Sequence, residues 1–140
     1  MAERLRRVVG RMGRALRLVH VDGNLSPSQR EVLFTIARRG PVRLSEVAAS
    51  EGINPTMLSR IVSHLESANL VIRTPDTSDA RVVHLSSTDQ GRALCKVIRS
   101  ERTDALHSAL GQLTVEQRQM LLDVLPVLES LVETLNGQVQ

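Results

Sequence analysis

Aromatic residues are almost absent from this 140-residue chain: Phe34 is the only one, and there is no Trp or Tyr. Proteins that stack bases or sugars on aromatic side chains need several of them, which argues against most single-stranded RNA binders. The core must therefore be aliphatic. The length suits one domain or two small interlocked ones.

Cysteine is limited to Cys95, which excludes an internal disulfide and a multi-cysteine zinc site. A reducing cytoplasm is therefore the simplest location. The histidines have no spacing typical of metal ligands, so we expect no metal and no other cofactor; they are His20, His64, His84 and His107. No apolar run approaches the ~18 residues of a membrane span.

Motifs of catalysis are absent as well. The sequence has no G-x-S-x-G, no H-E-x-x-H, no glycine-rich phosphate loop and no paired carboxylates in apolar surroundings. We therefore predict that the protein is not an enzyme.

The charge is distributed unevenly along the chain, whose net charge is +3. Residues 1–70 carry 11 basic and 6 acidic groups, a balance of +5, and residues 71–140 carry 7 and 9, a balance of −2. A basic first half is compatible with a polyanionic partner. It is equally compatible with a solvated surface from a genome that favours arginine codons, and charge alone does not decide between the two.

Hydrophobic periodicity and capping residues predict a mainly helical chain with one β-hairpin. Asp22, Gly23 and Asn24 break the first helix, and Asn69 closes the fourth in the left-handed conformation. Two capping boxes are expected, Ser26 with Gln29 and Thr114 with Gln117. The predicted helices span about 3–21, 27–39, 44–50, 55–68, 88–110 and 115–135, the last with a kink at Pro126; the predicted strands are 71–73 and 82–85, with the hairpin tip at 74–79.

The helix from Pro55 to about Ala68 is the most informative segment. Its apolar residues share one face, and the residues of the other face are small hydroxyls and one arginine: Leu58, Ile61, Val62 and Leu65 against Thr56, Ser59, Arg60 and Ser63. Small polar groups let a helix backbone approach base edges, and arginine binds guanine in a bidentate manner. This pattern is typical of a recognition helix, although a plain solvated helix has the same polar face.

The surrounding elements favour the recognition helix. A short helix, a tight connection containing Gly52 and this helix form a helix-turn-helix, and a hairpin follows directly, as in winged variants. Arg73 and Arg81 flank the hairpin tip, from which they would reach the minor groove or phosphates. Asp79 either forms a simple surface pair with Arg81 or holds it in position, and we favour the second role.

From about residue 3 to its end, the chain resembles the MarR family of bacterial winged-helix transcriptional regulators. The motifs that carry the resemblance are residues 44–48, Ser59-Arg60-Ile61-Val62 with Leu65-Glu66, Leu70-Val71, and the wing pattern Asp79-x-Arg81 followed by Thr88 and Gly91. Two positions depart from the family: Asn69 stands where Gly is usual, and Ser87 where Leu is usual. The second departure is expected to loosen the end of the wing.

The resemblance implies a winged helix-turn-helix DNA-binding lobe over 26–104 and a helical dimerisation region formed by 1–22 and 105–140, linked by the helix that starts near 88. It implies a homodimer that binds palindromic double-stranded DNA and usually represses transcription, in many relatives until a small-molecule effector binds. The residues expected to contact DNA are Ser45, Asn54, Pro55, Thr56, Ser59, Arg60, Ser63, His64, Arg73, Asp79 and Arg81.

Dimerisation is also expected from the residues themselves, because the last helix carries an apolar stripe that a small domain cannot cover; it consists of Leu121, Leu125, Leu128, Val132 and Leu135. The sequence gives no effector-binding residues, and Cys95 in an apolar context is interpreted as core rather than as a thiol sensor. The alternative function is a winged-helix module that binds a protein instead of DNA.

Overall fold

A computed structural model describes residues 1–19, 25–79 and 81–138 of the chain. The fold is mainly helical with one small antiparallel sheet, as predicted. The elements are α1 (Ala2–Arg17), α2 (Pro27–Arg39), β1 (Val42–Arg43), α3 (Leu44–Glu51), α4 (Pro55–Ser67), β2 (Val71–Pro75), β3 (Val83–Ser87), α5 (Asp89–Gly111) and α6 (Val115–Gly137).

Both predicted capping boxes are present. The Ser26 hydroxyl accepts a hydrogen bond from the Gln29 amide at 3.3 Å, and the Ser26 amide donates to Gln29 Oε1 at 2.7 Å. Thr114 and Gln117 repeat the arrangement at 3.2 and 3.0 Å. These bonds satisfy amides that the first helical turn leaves without partners, so the starts of α2 and α6 are fixed locally.

Several boundaries differ from the prediction: β2 reaches Pro75 instead of residue 73, and β3 covers Val83–Ser87 instead of 82–85. α1 ends at Arg17, earlier than the expected Val21; Val21 and the break at 22–24 lie outside the described residues. The strand β1 was not predicted, because two residues are too few to show an alternating pattern. It exists because its residues pair with β3, Val42 opposite Leu85 and Arg43 opposite His84.

The sheet has the order β1-β3-β2, with both pairs antiparallel. Within the hairpin Arg73 lies opposite Leu85 and Val71 lies opposite Ser87. The central strand β3 therefore connects the wing to the segment that precedes α3, and it ends where α5 begins.

The core is aliphatic and lies among α2, α3, α4, the sheet and the first half of α5. Leu33 and Ile36 of α2 and Val47 and Ala48 of α3 are buried. The apolar face of α4 is buried as its spacing predicts, and Cys95 is buried beside it. The buried cluster consists of Val32, Leu33, Ile36, Val42, Val47, Ala48, Leu58, Ile61, Val62, Leu65, Leu70, Val71, Leu85 and Cys95.

A small hydrogen-bonded junction joins the end of α4 to the start of α5. Asn69 has a φ of 56°, the left-handed conformation predicted for it, and its carbonyl accepts from the Thr88 hydroxyl at 2.7 Å. The same hydroxyl accepts from the Gly91 amide at 2.9 Å. A Cβ atom at Gly91 would overlap the Leu70 carbonyl oxygen, so this close approach requires glycine.

Ser87, expected to loosen the end of the wing, is instead held in place. It is buried and paired with Val71. Its carbonyl accepts from Arg92 Nη1 at 2.6 Å, and Arg92 Nη2 donates to Asp89 at 2.5 Å. The arginine thus ties the last residue of β3 to the first turn of α5.

The described chain divides into two units, Met1–Arg102 and Thr103–Gln140, with the boundary inside α5. In the second unit Arg118 donates to the carbonyls of Leu113 and Leu110 at 2.8 and 3.3 Å, which fixes the turn between the two helices. No residue of α6 is buried in the single chain. None of the described helices is long and apolar enough to cross a membrane.

Candidate nucleic-acid interface

The turn between α3 and α4 is set by two residues. Gly52 has a φ of 62°, which glycine adopts without steric cost, and it ends α3. Asn54 then begins α4: its side-chain oxygen accepts from the Met57 amide at 2.8 Å, and Pro55 occupies the first helical turn. The chain therefore turns sharply between the two helices, and the start of α4 is fixed by its cap.

The inner face of α4 is buried, as its spacing predicts, and this fixes which side chains face outward. Of the predicted outer face, Thr56, Arg60 and Ser63 are exposed and Ser59 is half-buried. With Pro55 and with Leu44 of α3 they line one open groove of about 700 Å³. None of the described residues that line this groove carries a carboxylate, so they do not repel phosphate.

Arg60 lines this groove from the middle of α4. Its side chain is exposed and has no ion pair or hydrogen bond with any residue that the structure describes. It therefore retains all five guanidinium donors for an external acceptor such as a base edge or a phosphate. Ser45 and His64, which do not line the groove, are also exposed.

Ser63 is more constrained than its exposure suggests. Its hydroxyl donates to the Ser59 carbonyl at 2.9 Å and accepts from Arg73 Nη2 at 3.0 Å. Because its proton is committed, Ser63 in this arrangement offers an incoming ligand one remaining acceptor lone pair and no donor.

Arg73 does not extend toward the hairpin tip. Its side chain, 29% exposed, lies against α4, with Nε 3.1 Å from Glu66 Oε2 in an ion pair that lacks the alignment of a hydrogen bond. Its Nη2 atom also lies 3.3 Å from the Ser59 carbonyl. This structure thus places Arg73 as a brace between β2 and α4, and a direct contact with DNA stays a prediction.

The wing is organised around Asp76. One carboxylate oxygen accepts from the Ser78 hydroxyl, the Ser78 amide and the Asp79 amide at 2.5, 2.8 and 3.2 Å, and the other lies 3.0 Å from His84 Nε2. These bonds, the Ser78 hydroxyl first, hold the pKa of Asp76 below its usual range. The tip is therefore a defined turn anchored to β3.

Arg81 extends from this turn into solvent. Its side chain is 93% exposed, and Asp79 Oδ1 lies 3.0 Å from its backbone amide and 3.4 Å from Nε. Asp79 thus contacts both the backbone and the side chain of Arg81. The long, loose side-chain contact leaves most of the guanidinium free.

The predicted site residues therefore fall into three groups. The outer face of α4 comes together as one surface, whereas Asp79 and Arg81 form a separate surface on the wing. Asn54 uses its side chain to cap α4, and Arg73 uses its side chain to brace it. Sequence reasoning did not find Glu66 as the partner of Arg73, nor Asp76 and His84, although the Asp-x-Ser spacing of Asp76 and Ser78 signals a turn of this kind.

The described residues give little support for a metal site or for a reactive thiol. Among them, no group of three or more His, Cys, Asp or Glu side chains is placed to hold a metal ion. Cys95 is buried, and burial raises the pKa of its thiol, which opposes the thiolate form that reacts with oxidants.

Comparison with known proteins gives one consistent result. Residues 25–83 match the profile of the MarR family. The chain is 30% identical to the HTH-type transcriptional regulator FarR of Neisseria gonorrhoeae, covering 83% of this chain and 80% of that protein. It is 29% identical to the HTH-type transcriptional repressor MdtR of Bacillus subtilis, covering 79% and 71%. The crystal structure of the transcriptional regulator Tm0710 from Thermotoga maritima superposes with a TM-score of 0.78 at 25% identity, covering 97% and 96%.

Proposed function

The chain belongs to the MarR family of DNA-binding transcriptional regulators, and from this premise we propose that it is a cytoplasmic homodimer that represses transcription at palindromic operators. The relatives are named as regulators rather than as enzymes. Because they are named as HTH-type transcriptional regulators, we propose DNA, and not a protein, as the ligand of the winged helix.

One observation carries the proposed mode of DNA binding. The outer face of α4 presents an unpaired arginine among small polar side chains, on a helix whose inner face is locked in the core. A helix of this kind enters the major groove, where arginine binds the O6 and N7 atoms of guanine. Thr56, Ser59 and Ser63 are short, so the helix backbone can approach the bases. We assign base reading to Arg60 and supporting contacts to Ser45, Pro55 and His64.

The wing supplies the second contact. Arg81 projects from a turn that Asp76 holds in place. We assign its side chain to the groove next to the one that α4 enters. The minor groove distinguishes A·T from G·C and little else, and a narrow A·T tract attracts arginine through its negative potential. Arg81 therefore adds affinity and a preference for flanking base pairs, with Asp79 limiting where its side chain can reach.

Dimerisation is supported by apolar residues that the single chain leaves exposed. In α6 they include Leu121, Leu125, Val132 and Leu135; in α1, no residue is buried although Val8, Val9 and Met12 share one face. Burying a leucine side chain is worth roughly 1.5–3 kcal/mol, so a second copy of the chain is the natural cover. We propose that 1–22 and 105–140 form this dimer and that 26–104 forms each DNA-binding lobe.

A twofold dimer with one recognition helix per chain matches an inverted repeat, because each half-site meets an identical helix. Repression follows if the occupied operator overlaps a promoter, and MdtR is named as a repressor. Release by a small-molecule effector, which the family resemblance implies, is the simplest form of control.

In vitro transcription tests the proposal. Genomic fragments that the protein retains are placed upstream of a reporter, and transcripts are counted with and without the protein. We expect the retained fragments to share an inverted repeat and to give fewer transcripts when the protein is added. An equal or larger number of transcripts would reject repression, and fragments without a shared repeat would reject operator binding by a dimer.

A further inference from the structure

The first helix is unusually rich in arginine. Of the 17 arginines in the chain, α1 holds six within 16 residues, all exposed, against a single acid, Glu3. Four of them, Arg4, Arg7, Arg11 and Arg14, follow spacings of three and four residues and share one face, which we call the arginine strip. The apolar residues of α1 lie on a different face.

None of the four strip residues forms an ion pair or a side-chain hydrogen bond with any residue that the structure describes. They also stand three or four positions apart, where like charges repel. Arg4 lies in the first turn, where the helix dipole disfavours positive charge, whereas Arg14 lies in the last turn, where the dipole favours it. The two dipole effects oppose each other, so the repulsion between neighbouring arginines is the unfavourable contribution that the strip makes to its own helix.

Codon preference for arginine does not account for the strip. The helix α5 is also largely exposed, yet its four cations are accompanied by three acids, Asp89, Glu101 and Asp104. If arginine merely filled solvated positions in this protein, α1 would show a similar mixture. The feature that needs an explanation is the depletion of acids on one helix.

We propose that the arginine strip binds the phosphate backbone of duplex DNA without reading its sequence, in addition to the contacts made by α4 and the wing. From Arg4 to Arg14 the helix rises about 15 Å, and a duplex presents one negative charge per about 1.7 Å of axis. Arginine matches phosphate oxygens in a bidentate manner. A duplex also removes the repulsion within the strip.

Duplex DNA fits this face better than a protein or a membrane does. A protein interface needs an apolar centre, and between Arg4 and Arg14 this face carries no apolar side chain. A helix that lies on a membrane buries its apolar face in the bilayer, and the apolar face of α1, which includes Val8, Val9 and Met12, is the one assigned above to the dimer. The proposal goes beyond operator binding, because it concerns any duplex.

The test compares two variants that lose the same charge. The strip variant carries Arg4→Gln, Arg7→Gln and Arg11→Gln. The control variant changes three exposed cations outside every proposed contact: Arg38→Gln, Arg39→Gln and Lys96→Gln. Affinity for a random 40-base-pair duplex is measured between 50 and 300 mM salt, and the slope of log K against log salt counts the phosphate contacts.

We expect the slope of the strip variant to be shallower by about 2–3 units, at about 0.9 per lost contact, and the slope of the control variant to change by less than about 1 unit. A third variant with lysine at the same three positions keeps the slope near the unmodified value. Thermal unfolding of the strip variant stays unchanged or rises, which shows that the slope change is not a folding defect.

Equal changes in the strip and control variants would overturn the proposal, because the effect would then be the long-range field of the protein. An unchanged DNA slope with lost binding to phosphatidylglycerol vesicles would assign the strip to a membrane and also overturn it. Failure of operator binding is a separate result: the unmodified protein would show no preference for any sequence, whatever the strip variant does.

Discussion

Arg60 has no side-chain partner among the described residues, whereas Arg81 contacts Asp79, and the two arginines are held in position in different ways. Arg60 projects from the middle of a helix whose opposite face is fully packed, so its position relative to the groove is fixed. Arg81 stands 93% exposed at a turn and has one loose side-chain contact. A fixed donor can select a base, whereas a loosely held cation follows phosphate or groove potential.

Arg60→Ala is expected to weaken binding to the operator by about 1–3 kcal/mol per subunit, the usual value of a bidentate arginine–guanine pair. Binding to random duplex should weaken less, because no base is read there. Isothermal titration or fluorescence anisotropy with both duplexes measures the difference. An equal loss on both would make Arg60 a phosphate contact.

The pair Asp79 and Arg81 is tested by a double-mutant cycle with DNA affinity as the readout. Arg81→Ala should weaken binding and make the salt slope shallower by about one unit, whereas Asp79→Ala should have a smaller effect. If the two single variants were equally damaging, the double variant no worse and the slope unchanged, Arg81 would only brace the wing.

The outer face of α4 was predictable because helical spacing alone decides which residues share a side. Which of their hydrogen-bond donors and acceptors are already used was not predictable, because it depends on contacts with residues distant in sequence. Ser63 loses its donor to the Ser59 carbonyl within α4, but it is Arg73, ten positions away, that occupies one of its acceptor positions. Likewise, nothing local links Asp76 to His84 on the opposite strand.

The junction of α4, the hairpin and α5 decides how the wing is placed beside the recognition helix. Thr88 donates its hydroxyl to the Asn69 carbonyl and its amide to the Leu70 carbonyl, and its hydroxyl accepts from the Gly91 amide. The packing of this junction therefore explains why threonine and glycine occur here. Thr88 joins the end of α4 to the start of α5, and Gly91 lets α5 approach the Leu70 carbonyl.

Gly91→Ala is expected to destabilise the lobe by about 1–3 kcal/mol, the usual cost of inserting atoms into a packed site. The matched control is Gly10→Ala in α1, where a Cβ meets no atom within 4 Å and alanine favours the helix by up to about 1 kcal/mol. Thermal and urea unfolding compare the two. If both variants were equally stable, the junction would accommodate the added Cβ atom without loss of folding free energy.

Caps and helices were predicted well because their signals are local. Ser26, Asn54 and Thr114 each accept from an amide three residues on, as the sequence indicates. The strand β1 and the exact ends of the hairpin strands were not predicted, because a strand is defined by its partner. The end of α1 likewise depends on more than its own periodicity, which continues beyond Arg17.

Association of two chains is the step on which operator binding depends. The chain is expected to sediment as a dimer at micromolar concentration. Leu125→Asp combined with Val132→Asp should give a monomer, because each introduces a charge into the apolar face of α6. The control is Ile72→Asp, which changes an exposed apolar residue on β2. This variant should remain dimeric. A monomeric mass for the unmodified protein would refute the proposed assembly.

The central claim is that paired α4 helices read a palindromic duplex through Arg60. Selection of binding sites from a random duplex library, with the unmodified protein and with Arg60→Ala in parallel, tests it most directly. We predict an inverted repeat whose half-sites are centred about one helical turn, 10–10.5 base pairs, or a multiple of it apart, and loss of a single base preference in each half-site for the variant. Identical selected sequences for the two proteins, or no repeat at all, would contradict it.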